Sequence, residues 1–177
     1  GETATVVVDY DVTDDDAQPL TANGTLTITV TGVNDAPVAV LDTAATTENA
    51  DVTTDVITND DPVDTTDILS LIGNSADIVS MTRDSDGTTI QGGNASVSQS
   101  GNEITFAPGS DFDFLATGET ATVVVDYDVT DDDAQPLTAE GTVTITVTGT
   151  NDVPVAVLDT AATTENADVT TDVITND

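Results

Sequence analysis

The residues best suited to chemistry in this chain are aspartates, and they are concentrated in a few loops. One loop runs Asn-Asp-Asp-Pro-Val-Asp-Thr-Thr-Asp over residues 59–67, and another carries three consecutive aspartates at 131–133. Calcium takes six to eight oxygen ligands at roughly 2.3–2.6 Å in a tolerant geometry, whereas magnesium keeps more of its waters. Such loops therefore suit calcium. The alternative is that they are ordinary acidic turns, since Asp is a favoured turn residue.

The overall charge points the same way. The 177-residue chain has 34 acidic residues, 28 of them Asp, against one base, Arg83, and its net charge is −33. This balance excludes nucleic acid, other polyanions and anionic membranes as electrostatic partners. Divalent cations would relieve the self-repulsion. A solvated surface of the halophile type is the alternative, and the two can coexist.

Several residue types needed for other functions are missing. The chain has no Cys, His or Lys, so disulfides, an imidazole base, a Schiff-base amine and the usual zinc ligands are absent. Aromatic residues make up only 3% of the chain, too few to build a substrate pocket. No segment approaches the roughly 20 apolar residues of a membrane span. We therefore expect no enzyme activity, no small-molecule substrate and no membrane partner.

A long internal repeat organises the chain. Residues 1–60 recur as residues 118–177, at an offset of 117 residues. The two copies differ only at Asn23/Glu140, Leu26/Val143, Val33/Thr150 and Ala36/Val153. This period exceeds the roughly 20–50 residues of a solenoid unit and matches a whole domain of roughly 100–150 residues. We therefore expect tandem domains, each with its own core.

The apolar pattern predicts strands throughout. Period-2 alternation marks two long strands, at Thr122–Thr130 and Thr142–Thr148, as a hairpin that recurs at Ala4–Thr31. Shorter strands are expected at Val38–Leu41, Val52–Ile57, Ile68–Ile72, Ile78–Thr82, Thr89–Gln91, Ala95–Ser98 and Glu103–Phe106. About seven to nine short strands in one repeat predict an all-β, immunoglobulin-like antiparallel sandwich. Tyr127 either forms a tyrosine corner in it or simply fills the core.

Two Asn-Asp-x-Pro segments set the expected domain frame. Val-Asn-Asp-Ala-Pro at 33–37 and Thr-Asn-Asp-Val-Pro at 150–154 each follow a predicted strand, and proline stiffens such a linker. We therefore expect one complete domain at 38–153. Residues 1–37 would be the last hairpin of a preceding repeat, and residues 154–177 the first two strands of a following one. Neither fragment has enough strands to be stable alone.

The acidic loops then define a first junction, beside the linker at 33–37. In an immunoglobulin-like sandwich, the loop at 59–67 and the loop at 131–133 lie at the same end as this linker. So many carboxylates would repel each other strongly without a cation. The predicted calcium ligands of the first junction are Asn34, Asp35, Asp60, Asp61, Asp64, Asp67, Asp131, Asp132 and Asp133.

The junction segments carry a resemblance to a known family. The segments are VTGVNDAPVAV (30–40), ATTENADVTTDVITNDDPVD (45–64), FDFLATGETATVVVDYDVTDDD (112–133) and TVTITVTGTNDVP (142–154). They resemble the VCBS-type, cadherin-like repeats of large bacterial RTX adhesins, which type I systems secrete. The resemblance covers the expected complete domain. One departure is the loop VTDDDAQPL, which lacks the glycine usual in that turn of the family.

The resemblance implies a second junction at the opposite end of the domain. Glu48 follows the first strand as a ligand glutamate does in cadherin-like modules. Asp111, Asp113 and Glu119 lie on the loop into the penultimate strand, and Asn151 and Asp152 form the outgoing linker. We expect a shared calcium site from Glu48, Asp111, Asp113, Asn151 and Asp152, completed by the next repeat, to which Glu165, Asn176 and Asp177 belong.

The resemblance also implies a function. It is that of a non-catalytic, calcium-dependent extender of a bacterial cell-surface adhesin, which projects an adhesive tip for surface attachment or biofilm formation. The module would be extracellular, with Ca²⁺ as cofactor and neighbouring copies of the repeat as partners. The alternative is a multivalent glycan-binding or homophilic adhesion module. Exposed aromatic residues would favour that alternative, and the candidates, Phe112 and Phe114, are expected in the core.

One further motif is ambiguous. Asp84-Ser85-Asp86-Gly87 begins like an EF-hand loop, but residue 95 is Ala where the bidentate Glu would be needed. We therefore interpret this segment as a β-hairpin turn.

Overall fold

The structure is a computed structural model that describes residues 1–175. Within that range the chain has ten strands and no helix, so no helix there could cross a membrane. The strands are β1 (Thr3–Thr13), β2 (Thr21–Thr31), β3 (Asp42–Thr47), β4 (Val52–Asp55), β5 (Ser70–Leu71), β6 (Asp77–Arg83), β7 (Ser96–Ser100), β8 (Glu103–Ala107), β9 (Thr120–Thr130) and β10 (Thr138–Thr148).

Strands β3 to β10 form a two-sheet sandwich. One sheet has the order β3-β10-β9, with β5 and β6 both pairing with β9, and the other has the order β4-β8-β7. All pairs are antiparallel except β3, which runs parallel to β10. This arrangement matches the two sheets of an immunoglobulin-like domain, with the first strand placed beside the last. The predicted all-β, immunoglobulin-like sandwich is confirmed.

The core follows the alternation in the sequence. Every second residue of β9, and of β10 from Gly141 onward, is buried, because successive side chains of a strand point to opposite faces. These residues pack against Val56, Ile104 and Phe106, which lie on the side of the other sheet. They also pack against Phe112 and Leu115 from the loop before β9. Phe106 and Phe112 meet edge to face, with ring centroids 6.0 Å apart. The β-branched residues at these positions explain why the strands form here.

Tyr127 is the largest buried side chain and holds several parts of the core together. Its ring covers Gly141 on β10, where a Cβ atom would lie 2.3 Å from the ring carbon Cε2. Its hydroxyl donates to Asp42 Oδ2 at 2.6 Å and lies 3.2 Å from the carbonyl of Val56. Burial, followed by the bond to Asp42, raises the pKa of Tyr127. A tyrosine corner binds backbone a few residues upstream, so this residue is not one.

The first strand of the sandwich lies further along the chain than predicted. A strand was expected at Val38–Leu41, but β3 begins at Asp42, and Val38 forms only an isolated bridge with Asp61. The buried or half-buried positions of β3 are Asp42, Ala44 and Thr46, so its sequence has no apolar alternation to reveal it. The prediction of a strand at Thr89–Gln91 was also wrong, because only a bridge between Thr89 and Thr82 forms there.

The two ends of the chain are organised differently from the sandwich. Strands β1 and β2 pair over their full length, from Thr3↔Thr31 to Thr13↔Thr21, and the described residues provide them with no third strand. Residues 154–175 form no strand, although two had been expected there. Their identical counterparts at 37–58 become strands only by pairing with β8 and β10. Strand formation by this sequence therefore depends on a partner.

Candidate functional site

The structure brings the linker and both acidic loops of the first junction together. Asn34 Nδ2 donates to Asp131 Oδ2 at 3.1 Å and to the carbonyl of Gln135 at 3.1 Å. The backbone N–H of Asp35 donates to Asp64 Oδ2 at 2.9 Å. These bonds link residues up to about one hundred positions apart, so the linker is held against the sandwich by side chains from both loops.

The loop at 131–137 is organised by one buried carboxylate. Asp131 is only 3% exposed, and it accepts hydrogen bonds from the backbone N–H groups of Leu137 and Asp133 as well as from Asn34. Next to it, Asp132 Oδ1 accepts from the N–H of Ile68 at 2.8 Å, which ties this loop to the one that ends at Asp67. The two loops therefore form one continuous acidic surface.

Two oxygen atoms in the first junction have no hydrogen-bond partner although they are buried. They are Asn34 Oδ1 and Asp67 Oδ2. Buried polar atoms are nearly always hydrogen-bonded, so such atoms need an explanation, and an ion is one. Burial raises the pKa of Asp67, and so do four nearby carboxylates, those of Asp133, Asp64, Asp131 and Asp132. Asp67 is thus an acid held among other acids without a counter-charge.

Of these residues, Asn34, Asp64, Asp67 and Asp133 line a cavity of about 370 Å³ between the β1–β2 side and the sandwich. Glu2 and the linker residues Gly32 to Asn34 line one side, and residues 64–67 together with Asp133 line the other. Glu2 is an acidic residue that the sequence analysis did not assign to this junction. It corresponds to Glu119, so shifting the second-junction loop back by one repeat would have identified it.

Asp60 and Asp61 lie elsewhere, beneath the segment that enters β3. Asp60 Oδ1 accepts from the N–H of Val40 at 2.7 Å, and Asp61 exchanges two backbone hydrogen bonds with Val38. Asp60 Oδ2 is buried without a partner, and burial, followed by the charges of Asp42 and Asp55, raises the pKa of Asp60 despite the bond from Val40. Neither residue is among the carboxylates that act on Asp67. They hold the incoming chain.

At the second junction, Glu48 binds the outgoing linker directly. It is 2% exposed, and its Oε1 accepts from the backbone N–H of Thr150 at 2.5 Å and from the Thr150 hydroxyl at 2.8 Å. The Asn49 side chain also donates to that hydroxyl. Glu48 Oε2 is buried and has no partner. The second junction therefore contains the same kind of unpartnered acidic oxygen as the first.

The other predicted residues of the second junction separate into two groups. Asp113 and Asp152 line a shared cavity of about 390 Å³ together with Asn49. Asp111 instead accepts four hydrogen bonds from residues 93–95, three of them from backbone N–H groups. Asn151 is exposed, as is Glu165. Asn176 and Asp177 lie outside the described residues.

The hydrogen bonds around Asp111 give that carboxylate a structural task. Burial alone would raise its pKa, but the N–H groups of Ala95, Asn94 and Gly93 and the Asn94 side chain outweigh burial and lower the pKa of Asp111 to about 2. A carboxylate with this many donors stabilises its loop in the ionised form. This places Asp111 in the wall of the sandwich rather than in the cavity that Asp113 and Asp152 share.

The single base of the chain lies near the second junction. Arg83 donates to both carboxylate oxygens of Glu119, at 2.7 and 2.8 Å, and its guanidinium lies 5.4 Å from the ring centre of Phe114. Phe112 is buried as predicted, but Phe114 is 49% exposed, so the expectation that it lies in the core was wrong. Its ring packs on Arg83 instead.

The segment at 84–87 is a turn, as predicted. Gly87 has a φ of 71° and its N–H donates to the carbonyl of Arg83, while Asp86 accepts from the N–H of Thr88. Asp84 accepts hydrogen bonds from the hydroxyls of Thr120 and Thr122 on β9. These aspartates are therefore engaged in the turn and in its attachment to the sheet.

The donor atoms of the junctions suit calcium, but their arrangement does not yet form a site. Carboxylates, an amide oxygen and unpartnered buried oxygens are the donor chemistry that calcium takes. Yet among residues 1–175 no three acidic side chains are already arranged as a metal-binding group. A calcium ion would therefore have to draw these side chains together, as the tolerant coordination geometry of calcium allows.

The strand order and the two facing sheets define an immunoglobulin-like sandwich with an acidic junction at each end. No protein-family model matches the chain, and no curated protein matches it. Among solved structures it is similar to one described as "Protocadherin gammaB7 EC3-6 cis-dimer structure", with a TM-score of 0.42 and 22% identity. The match covers 81% of this chain and 32% of that chain, so it spans about a third of that structure's length. A likeness this distant carries no inference about function.

Proposed function

We propose that this chain is a non-catalytic, calcium-dependent spacer of a bacterial cell-surface adhesin, with its 117-residue repeats as its own partners. The observation that carries the proposal is the first junction. There, the buried oxygens Asn34 Oδ1 and Asp67 Oδ2 have no partner, and carboxylates from the loops at 64–67 and 131–133 surround Asp67. An extracellular location agrees with this proposal, because calcium is millimolar outside cells and weak extracellular sites bind it at about that concentration.

The mechanism is electrostatic. Without a cation, the carboxylates of Asp64, Asp67 and Asp133 repel each other, and hydrogen bonds such as those of Asn34 and Asp35 hold the linker. Calcium would take oxygens from the linker and from the loops at once, which fixes the linker relative to the sandwich. Binding only to the ordered junction stabilises that state by mass action. In a tandem array, the same event at each junction would produce a stiff rod.

The second junction extends this mechanism to the next repeat. The unpartnered Glu48 Oε2 lies where Glu48 already holds Thr150, and Asp113 and Asp152 share the neighbouring cavity. Asn151 and Asp152 correspond to Asn34 and Asp35, so they would reach the loops of a following repeat in the same way. Each junction would thus contain acidic groups from two repeats and the linker between them.

The alternative, a glycan-binding or homophilic adhesion module, has one structural observation in its favour. Phe114 is half exposed, and a sugar ring could stack on an exposed aromatic residue. However, the guanidinium of Arg83 already packs against that ring. The spacer is therefore the function that these observations favour.

Isothermal titration of the full chain with calcium tests the metal site, with Asp67→Asn and Asp77→Asn compared. Asp77 is an exposed aspartate at the start of β6 and serves as the matched control. We expect Asp67→Asn to weaken binding at least about tenfold, a loss of about 1.4 kcal/mol, and Asp77→Asn to leave it unchanged. Absence of any heat of calcium binding at physiological salt would refute the proposal.

Small-angle scattering tests the spacer role. A chain lengthened by one further repeat should reach a greater maximum dimension in calcium than in chelator, because ordered junctions hold neighbouring sandwiches apart. Asp67→Asn should shorten it toward the chelated value. If calcium binds but the maximum dimension stays the same, the chain binds calcium for another purpose and the spacer role fails.

A further inference from the structure

Val63, in the acidic loop at 59–67, has a backbone conformation that valine rarely adopts. Its φ is 67°, in the left-handed region. Within residues 1–175 the only other non-glycine residue with a positive φ is Asn74, and asparagine tolerates this region much better. In a β-branched residue such a φ is a steric outlier. Strain of this kind persists only where the surrounding contacts enforce it.

The strain takes the form of a very tight turn. The N–H of Asp64 donates to the carbonyl of Pro62 at 2.8 Å, so the hydrogen bond closes around Val63 alone. A bond from residue i to residue i+2 across a positive φ defines the rare, strained kind of γ-turn. The side chain of Val63 is 44% exposed, so its burial offsets little of this strain. The loop therefore contains a reversal that valine itself disfavours.

Contacts on both sides of Val63 enforce the turn. Before it, Asp61 exchanges two backbone hydrogen bonds with Val38, and Asp61 Oδ1 accepts from the N–H of Val63 at 2.9 Å. After it, Asp64 Oδ2 accepts from the N–H of Asp35 at 2.9 Å. Two points of the loop are thus attached to two points of the same linker, and the chain between them has to turn at Val63.

The register of the loop and the linker explains why regular strand pairing does not replace this turn. The bridge between Val38 and Asp61 is antiparallel, which places Pro37 opposite Pro62 at the next position. Proline has no N–H to donate, so the ladder of backbone hydrogen bonds ends there. The side chain of Asp64 then continues the attachment, and the turn brings it back to the linker.

Val63 also separates an anchored part of the loop from a compact one. Asp60 and Asp61 bind the segment that enters β3. After Val63, the N–H of Asp67 donates to the carbonyl of Asp64 at 3.1 Å, so residues 64–67 form a turn of their own. Asp64 and Asp67 both line the cavity of the first junction. A displacement of this turn would be absorbed at the joint before it, as loop hinges absorb changes in φ and ψ.

We propose that Val63 is the hinge of the first junction and that calcium binding releases its strain. This inference rests on the proposed function. Within residues 1–175 no three acidic side chains are yet arranged as a metal-binding group, so calcium has to draw Asp64 and Asp67 toward it. That movement turns the backbone at Val63. Because Val63 starts in a strained conformation, leaving it lowers the energy of the loop, and the released strain strengthens calcium binding.

Calcium titration calorimetry of the full chain tests the energetic part of this proposal. Glycine adopts the left-handed region without steric strain, so we expect Val63→Gly to bind calcium at least about fivefold more weakly than the wild type. Val63→Asn should also weaken binding, because asparagine tolerates this region without the flexibility of glycine. The matched control is Val79→Gly, which removes the same side chain from an exposed valine of β6 whose φ is not positive. It should leave calcium binding unchanged.

Nuclear magnetic resonance of the full chain tests the conformational part, because backbone couplings report the φ of Val63 directly. We expect this φ to be positive in chelator and negative in saturating calcium. If the wild type binds calcium while Val63 keeps its positive φ, the hinge is wrong and the calcium site stands. Equal calcium affinities of the wild type, Val63→Gly and Val63→Asn lead to the same conclusion. A wild type that binds no calcium overturns the hinge together with the calcium site.

Discussion

Tyr127 and Asp42 form a buried hydrogen bond of 2.6 Å that connects the centre of the sandwich with its first strand. The tyrosine is 1% exposed and the aspartate 8%. The hydroxyl also lies close to the carbonyl of Val56, which follows β4 in the other sheet. One phenol therefore satisfies the carboxylate that begins β3 and approaches the backbone of the opposite sheet.

Removing that hydroxyl should destabilise the sandwich. Tyr127→Phe leaves the buried carboxylate of Asp42 without its donor, and we expect the free energy of unfolding to fall by about 1–3 kcal/mol. Tyr10→Phe is the matched control, because Tyr10 is the same residue one repeat earlier and is half exposed. Urea denaturation measures both. Equal losses in the two variants would mean that the effect does not come from the bond to Asp42.

Much of the sandwich could be predicted from the sequence, because its long strands bury one face. The alternation of β9 and β10 marks their buried residues directly, and the predicted turn at 84–87 is present. The position of β3 could not be predicted this way. Its buried first residue is Asp42, which Tyr127 stabilises there by donating to it. A polar residue buried by a distant partner leaves no apolar pattern in its own segment.

The positions of the acidic residues could also be predicted only in part. The convergence of residues 34–35, 64–67 and 131–133 followed from strand order alone. The separate placement of Asp60 and Asp61 did not, because it depends on the bridge between Val38 and Asp61. Glu2 was missed although its counterpart one repeat later, Glu119, marks its position. Loop position follows from topology, whereas the direction of each carboxylate depends on backbone contacts that the sequence does not display.

Gly141 should be intolerant of a side chain. A Cβ atom there would lie 2.3 Å from the ring of Tyr127, and that ring is fixed by the core and by Asp42. We expect Gly141→Ala to lower the free energy of unfolding by about 1–3 kcal/mol, as overpacking does. Gly24→Ala is the control, because it meets the ring of Tyr10, which is half exposed and can move away. Thermal unfolding followed by circular dichroism distinguishes the two.

Asp111 should make the free energy of unfolding depend on pH in the acidic range. Its pKa is about 2 in the folded chain, below its ordinary value of 3.8, so its stabilisation is complete above about pH 4. That contribution is lost as the pH falls from 3.8 toward 2, because the unfolded chain takes up the proton first. We expect Asp111→Asn to cost about 1–2 kcal/mol at pH 7 and almost nothing near pH 2.

The control for this pH dependence is Asp113→Asn, which changes an exposed carboxylate two residues away. Measured in chelator, so that no metal site contributes, it should leave the pH dependence of unfolding close to that of the wild type. A difference between Asp111→Asn and wild type that is equally large at pH 2 and pH 7 would show that charge is not the cause.

Asp67 should change the pH dependence of stability in the opposite direction to Asp111, because burial and four neighbouring carboxylates raise its pKa above the ordinary 3.8. The folded chain then binds this proton more tightly than the unfolded chain does. The resulting stabilisation is fully present below the unfolded pKa and is lost as the pH rises through the folded pKa. At neutral pH the ionised Asp67 therefore destabilises the calcium-free chain.

Asp67→Asn consequently should change stability in opposite directions with and without calcium. In chelator at pH 7 the variant should melt higher than the wild type, since it removes a charge from an acidic cluster. In millimolar calcium the order should reverse, because the wild type gains stability from a bound ion that the variant holds less tightly. Calorimetry of both proteins in both buffers gives four melting temperatures. If Asp67→Asn melts higher than the wild type in both buffers, calcium does not offset the repulsion within the acidic cluster, and the first junction is not a calcium site.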